Sequence, residues 1–126
     1  INAVGECGFD FYTDELKIQK DKQKYVFENQ LELCLLFNYP MVIHSRKAND
    51  VLFGYSNELK KLPGVLFHSF MGSLVEAESF IKRGINCYYS FGKQIFNGNK
   101  KVIEIVKKIP TKNLLLETDS TLQFLK

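Results

Sequence analysis

Short apolar runs alternate with longer amphipathic stretches along the whole chain, and this alternation limits the fold more than any other feature. The runs are Ile1–Val4, Pro40–Ile43, Val65–Phe67, Ile85–Ser90 and Leu114–Leu116. Each is brief, partly β-branched or aromatic, and apolar at successive positions, so each predicts a strand buried on both faces. From Gln19 to Phe37, Val26, Phe27, Leu31 and Leu35 recur near helical spacing. Val51, Leu52, Tyr55 and Leu59 repeat the pattern before Pro63-Gly64. Ser73-Leu74-Val75-Glu76 has the form of a capping box, and Gly84 that of a left-handed C-terminal cap, which predicts a third helix between them. A fourth helix starts near Asn99, turns Val102, Ile103 and Val106 inward, places Lys107 and Lys108 at its negative end and stops at Pro110.

Strand and helix in strict alternation predict an α/β fold with a parallel sheet. Two architectures suit five such strands. One is a complete five-stranded doubly wound sheet. The other is a partial (β/α)8 TIM barrel, because a whole barrel needs ~250 residues and this chain has 126. The first residue, Ile1, lies inside an apolar run, which favours a piece of a longer chain. Residues 1–126 are therefore expected to form a single, incomplete domain.

Hydrophobic residues make up 45% of the chain and charged residues 25%, a balance that excludes a disordered chain. No apolar run approaches the ~18 residues of a membrane span. A net charge of +3 with interleaved Lys and Glu does not by itself argue for a nucleic-acid partner. Cys7, Cys34 and Cys87 each sit in apolar context and form no close pair, as expected of reduced thiols in the cytoplasm.

The chemistry gathers where the apolar runs end. The chain has two histidines, and both follow a run directly, as Val42-Ile43-His44 and Leu66-Phe67-His68. Glu6 and Asp119 hold comparable positions after the first and last runs. The C-terminal ends of parallel strands share one face, which is where α/β enzymes build their sites. Two imidazoles and two carboxylates suit Zn²⁺, and equally admit Mn²⁺ or Mg²⁺. Each residue alone has a simpler reading: Glu6 as the partner of Arg46, Asp119 as a helix cap. Arg46 itself suits either a substrate phosphate or a salt bridge to a neighbouring carboxylate. Ser45 and Ser69 lie in the same loops, and Lys93 and Lys100 lie on or near the loop after the fourth run. Other templates fail: there is no Gly-rich phosphate loop and no Gly-x-Ser-x-Gly elbow, and Cys34 lies on an apolar helical face with no histidine nearby in sequence.

Five segments in order then carry a resemblance. They are Val4-Gly5-Glu6-Cys7-Gly8-Phe9-Asp10, Val42-Ile43-His44-Ser45-Arg46, Phe67-His68-Ser69-Phe70-Met71-Gly72-Ser73, Tyr89-Ser90-Phe91-Gly92 and Leu114-Leu115-Leu116-Glu117-Thr118-Asp119-Ser120. With these the chain resembles the TatD family of metal-dependent deoxyribonucleases and related hydrolases. The resemblance implies a (β/α)8 barrel whose third to seventh strands are present. It implies two divalent metal ions in the intact protein, with Glu6 bridging both, His44 and His68 on the second, and Asp119 on the first. The family's His-x-His pair for the first metal has no counterpart here. Cys7, Phe9, Met71 and Thr121 also depart from the usual pattern, without removing a ligand.

The function implied is hydrolysis of DNA phosphodiester bonds by a metal-activated water, with Glu6 and Asp119 as catalytic carboxylates and no preference for base sequence. Two alternatives stand beside it: the same fold acting on amide or ester bonds, and a catalytically incomplete segment.

Overall fold

A computed structural model describes residues 3–92 and 97–116. Five parallel strands form one sheet among these residues: β1 (Val4–Asp10), β2 (Met41–Arg46), β3 (Val65–Phe67), β4 (Cys87–Phe91) and β5 (Leu114–Leu116). They lie side by side in chain order, β1-β2-β3-β4-β5. That order separates the two expected architectures. A doubly wound sheet reverses direction at a switch point and brings later strands back beside the first. Here each strand joins the far edge of the previous one, as in the wall of a (β/α)8 barrel, so the doubly wound alternative is excluded.

The first strand differs most from expectation. It begins at Val4 and runs through Glu6 to Asp10, where the sequence reading ended it at Val4. Gly5 and Gly8 look like turn residues, yet they serve a close approach between strands. A Cβ on Gly8 would lie 1.8 Å from the His44 carbonyl oxygen, and its φ of +152° is one that side chains rarely adopt. The chain can therefore stay extended against β2, with Gly8 opposite His44 and Asp10 opposite Arg46. The register shifts between Val4 and Cys7, so the pairing is irregular at the start of β1 and regular from Cys7 to Asp10.

Strand faces also differ from expectation. In β2, Met41, Ile43 and Ser45 are buried while Val42, His44 and Arg46 are only half-buried. Cys7 and Phe9 in β1 and Val65 and Phe67 in β3 continue the buried face. β1, β2 and β3 are thus one-sided, unlike β4, whose Tyr89, Ser90 and Phe91 are all buried, and their two-residue period sends Glu6, Asp10, His44 and Arg46 to the opposite side.

Helices cover the buried face. α2 (Lys20–Phe37) is the first predicted helix and buries Phe27, Leu31 and Cys34, and the short α1 (Asp14–Ile18) precedes it without having been expected. Phe27 meets Phe9 at 5.0 Å between ring centroids and Tyr55 at 4.9 Å. The second predicted helix is two short ones, α3 (Asn49–Phe53) and α4 (Ser56–Leu59). They separate at Gly54-Tyr55, where the Ser56 hydroxyl donates to the Phe53 carbonyl. α5 (Leu74–Lys82) carries the expected capping box of Ser73 and Glu76. Its Phe80 packs on Phe53 at 4.2 Å and Phe67 at 4.7 Å, and each such buried ring stabilises the fold by about 2–3 kcal/mol. α6 (Lys100–Lys108) is capped by the Asn99 side chain, as the sequence indicates. No helix of the described residues is long and apolar enough to cross a membrane.

Candidate metal centre and its surroundings

Asp10, His44 and Arg46 meet at the C-terminal ends of β1 and β2, while Glu6, which stands inside β1 and not after it as expected, meets His68 just beyond β3. Two carboxylate–imidazole pairs result. His68 Nε2 lies 3.7 Å from Glu6 Oε2, and His44 Nε2 lies 3.2 Å from Asp10 Oδ2. All four side chains retain access to solvent, with Asp10 the most enclosed at 19% exposure and Glu6 the most open at 44%. Asp119 and Lys93 fall outside the described residues.

Asp10 is the residue that sequence reasoning left without a role. It lies four positions after Glu6 on the same strand, so the two-residue period points both carboxylates to one face, and that spacing was the available signal. Its carboxylate accepts from Arg46 Nε at 3.2 Å through each oxygen and lies 3.1 Å from Arg46 Nη2. The Tyr12 backbone N–H donates to Oδ1 at 3.0 Å. Burial pushes the Asp10 pKa upward, but the bonds from Arg46, Tyr12 and His44 outweigh it and hold the carboxyl below its ordinary value. Glu6 therefore does not pair with Arg46. Of the two readings of Arg46, the salt bridge to a neighbouring carboxylate is present, with Asp10 as that carboxylate.

The backbone at this strand end is clamped from outside. Gln23 of α2 accepts from the Asp10 N–H at 2.8 Å and donates to the Asp10 carbonyl at 3.1 Å and the Leu16 carbonyl at 3.0 Å. One amide thus ties β1, α1 and α2 together. Ser45, the side chain between His44 and Arg46, turns to the helix side and donates to Asn49 Oδ1 at 2.7 Å. Ser69, after His68, takes a left-handed conformation with φ 49°, and its N–H donates to Ser90 Oγ at 3.2 Å.

Glu6, His44 and His68 are donors of the kind that suit a divalent metal, whereas the Asp10 carboxylate is already bound by Arg46. Among the described residues no three of His, Cys, Asp and Glu converge into a complete set. Glu6, His44 and His68 nonetheless share one face across three adjacent strands, an arrangement open to further ligands. Cys7, Cys34 and Cys87 are buried and unbridged and supply none. Burial pushes the Cys7 thiol up to about 12, with the nearby Cys34 and Glu6 adding to the effect, which suits a core thiol and not a thiolate ligand.

The model of the TatD-related DNases matches residues 1–122. YabD of Bacillus subtilis, described as an uncharacterized metal-dependent hydrolase, is 42% identical over 119 residues, covering 93% of this chain and 45% of its own. A 3'-5' ssDNA/RNA exonuclease TatD from a Pantoea species is 32% identical over 119 residues, covering 94% of this chain and 45% of its own. The crystal structure of YjjV, a TatD homolog from Escherichia coli K12, superposes with a TM-score of 0.80 at 34% identity, over 94% of this chain and 45% of that one. The chain spans a little under half the length of these relatives. Their barrel fold accounts for the sequential parallel sheet, and the family match runs through every segment that carries a candidate ligand, so the chain belongs to the family of TatD-related DNases.

Proposed function

We propose that the chain contributes the third to seventh strands of a metal-dependent hydrolase barrel that cleaves nucleic-acid phosphodiester bonds, DNA foremost, without regard to base sequence. The observation that carries this reading is the pairing of Glu6 with His68 and of Asp10 with His44 on one face of three adjacent strands. The exonuclease description of the Pantoea relative supports nucleic acid as the substrate class. Cytoplasmic location belongs to the same proposal, supported by three thiols enclosed in apolar surroundings.

In this reading Glu6, His44, His68 and Asp119 hold divalent metal, Zn²⁺, Mn²⁺ or Mg²⁺, two ions in the intact enzyme. When bound, the metal supplies Lewis acidity and a water of lowered pKa. The remaining work falls to side chains. Asp10 fixes the orientation of His44 and of the Arg46 guanidinium at once. Arg46 lines the adjoining cleft, where its charge favours a flanking phosphate. Asp119 accepts the proton of the water that adds to phosphorus, and the bond from phosphorus to the sugar oxygen breaks as that oxygen takes a proton from solvent and leaves as a hydroxyl.

Calorimetry with Zn²⁺ and Mn²⁺, and cleavage of labelled single-stranded DNA and RNA beside a panel of small esters and amides, test the reading. Binding and cleavage are expected to be abolished by EDTA and severely reduced in His68→Ala and Asp119→Ala. Full metal-dependent cleavage in either variant refutes the ligand assignment. Turnover of esters or amides with intact oligonucleotides shifts the assignment to the other hydrolase class.

A further inference from the structure

Beyond the acid–imidazole pairs, three shallow clefts share walls along the strand-end rim. Tyr12 and Lys47 line both the first and the second, and Met71 and Lys101 line both the first and the third. The clefts therefore adjoin one another as a groove, with the first, which Arg46 lines beside Asp10, in the middle. Among the described residues its walls carry six cations, Lys17, Lys20, Arg46, Lys47, Lys100 and Lys101, against two carboxylates, Asp50 and Glu76. Glu76 is already engaged in the cap of α5. At the junction of two clefts stands Tyr12, 58% exposed, with the Arg46 guanidinium 4.3 Å over its ring.

We propose that this groove is a track for the single nucleic-acid strand flanking the bond to be cleaved, with Lys47 and Lys101 taking phosphates and Tyr12 stacking a base. The proposal rests on the nuclease reading for why a strand arrives there; the chemistry of the groove is independent of it. Cations spaced along a groove with an aromatic platform between them match the repeating phosphate and base of a single strand. A globular protein partner would more often meet an apolar patch, whereas Met71 is the main exposed apolar side chain here.

Two local features support the assignment. Lys47 adopts a left-handed conformation, φ 60°, which a lysine rarely takes and which costs stability. Lys100 and Lys101 occupy the first turn of α6, where positive charge opposes the helix dipole. Neither choice favours the fold, and both place cations on the groove. Arg46 joins the two regions: one guanidinium binds Asp10, which faces His44, and covers one side of the Tyr12 ring. A base stacked on Tyr12 would therefore stand next to the acid–imidazole pairs, leaving the neighbouring phosphate near them.

Fluorescence anisotropy of a labelled oligothymidylate of about 10 nucleotides, in EDTA so that the probe is not consumed, tests the track in the 126-residue chain. The double variant Lys47→Asn/Lys101→Gln keeps a residue tolerant of the left-handed conformation at position 47. It is expected to bind roughly tenfold more weakly and to lower the log–log salt slope by about 1.4, since each lost phosphate contact removes about 0.7. Tyr12→Ala should weaken binding at least about fivefold, and Tyr12→Phe, which keeps the stacking ring, less than about twofold. An unchanged salt slope, equal losses in the two Tyr12 variants, competition by heparin with no effect of Tyr12→Ala, or no binding by the folded wild-type chain each overturn the track. A parallel cleavage assay with Mn²⁺ separates the two proposals. Binding losses as expected uphold the track, and the nuclease reading is refuted when a full-length barrel containing this segment binds the probe but leaves it intact with Mn²⁺, Zn²⁺ and Mg²⁺. Cleavage that is insensitive to all these variants refutes the track alone.

Discussion

Asp10 and Arg46 are register partners at the ends of β1 and β2, and their side chains meet through both carboxylate oxygens, at 3.2 Å from Nε and 3.1 Å from Nη2. The two ends of this pair are unequally supported. Without Asp10, the guanidinium still stacks on Tyr12. Without Arg46, a mostly enclosed carboxylate loses its chief donor and keeps only Tyr12 N–H and His44. Arg46→Ala is therefore expected to destabilise the chain by about 2 kcal/mol and Asp10→Asn by about 1 kcal/mol. Urea unfolding of both variants and of the double variant should give a coupling of about 1 kcal/mol. Strict additivity would show that the pair contributes nothing to folding.

Gly8 is expected to be the least replaceable glycine described. Its missing side chain is what lets β1 pass the His44 carbonyl, because an added Cβ would stand 1.8 Å from that oxygen. Gly8→Ala should cost about 3 kcal/mol or more, or prevent folding, by forcing the strands apart. Gly84→Ala serves as the comparison, since its Cβ meets nothing within 4 Å and only the φ of +88° penalises it. There the loss should be about 1 kcal/mol. Equal losses at the two positions, read from urea midpoints, would remove the close approach as the reason for Gly8.

Much of this was legible in the sequence because the signals were local. The capping box at Ser73 and Glu76, the Asn99 cap and the short runs Val65–Phe67 and Leu114–Leu116 depend on neighbours in the chain, and they fold as read. Strand order was not local, so composition could not separate barrel from doubly wound sheet. The extent of β1 was hidden because Gly5 and Gly8 signal turns unless the opposing carbonyls of Val42 and His44 are known. For the same reason Asp10 lay outside the predicted strand, which ended at Val4. Its position opposite Arg46 exists only once β1 is paired with β2.

Gln23 is expected to act on the candidate metal centre without touching it. Its amide holds both backbone polar groups of Asp10 and so fixes where β1 ends relative to His44. Gln23→Leu keeps a similar volume but leaves one N–H and two carbonyls to water, at a cost of about 1–2 kcal/mol. A merely structural role would lower stability and nothing else. A positioning role should also shift the imidazole NMR signals of His44, which meets Asp10, while leaving those of His68, which meets Glu6, in place. Unmoved His44 signals in a folded Gln23→Leu chain would limit the residue to stability.

Cys87 and Tyr89 make the fold sensitive to alkali. Burial pushes the Cys87 thiol from its usual 9.0 up to about 11, against a smaller opposing effect of its hydrogen bond with Tyr89. Burial also raises the Tyr89 phenol, whose hydroxyl donates to the Ala77 carbonyl at 2.7 Å. The folded chain holds these protons where the unfolded chain releases them. Above pH 9 the unfolded state therefore binds fewer protons, and stability must fall as pH rises. The contribution of Cys87 is complete below its usual pKa and lost as pH climbs through about 11, a loss of about 2 kcal/mol over that window. Urea unfolding at pH 7, 9, 10 and 11 should trace this decline, and Cys87→Ala, whatever its stability at pH 7, should show a shallower one. A thiol reagent at pH 8 should leave the folded chain unmodified and label it once denatured. A flat profile from pH 9 to 11, or an unaltered slope in Cys87→Ala, would show that the enclosed thiol is not what limits stability in alkali.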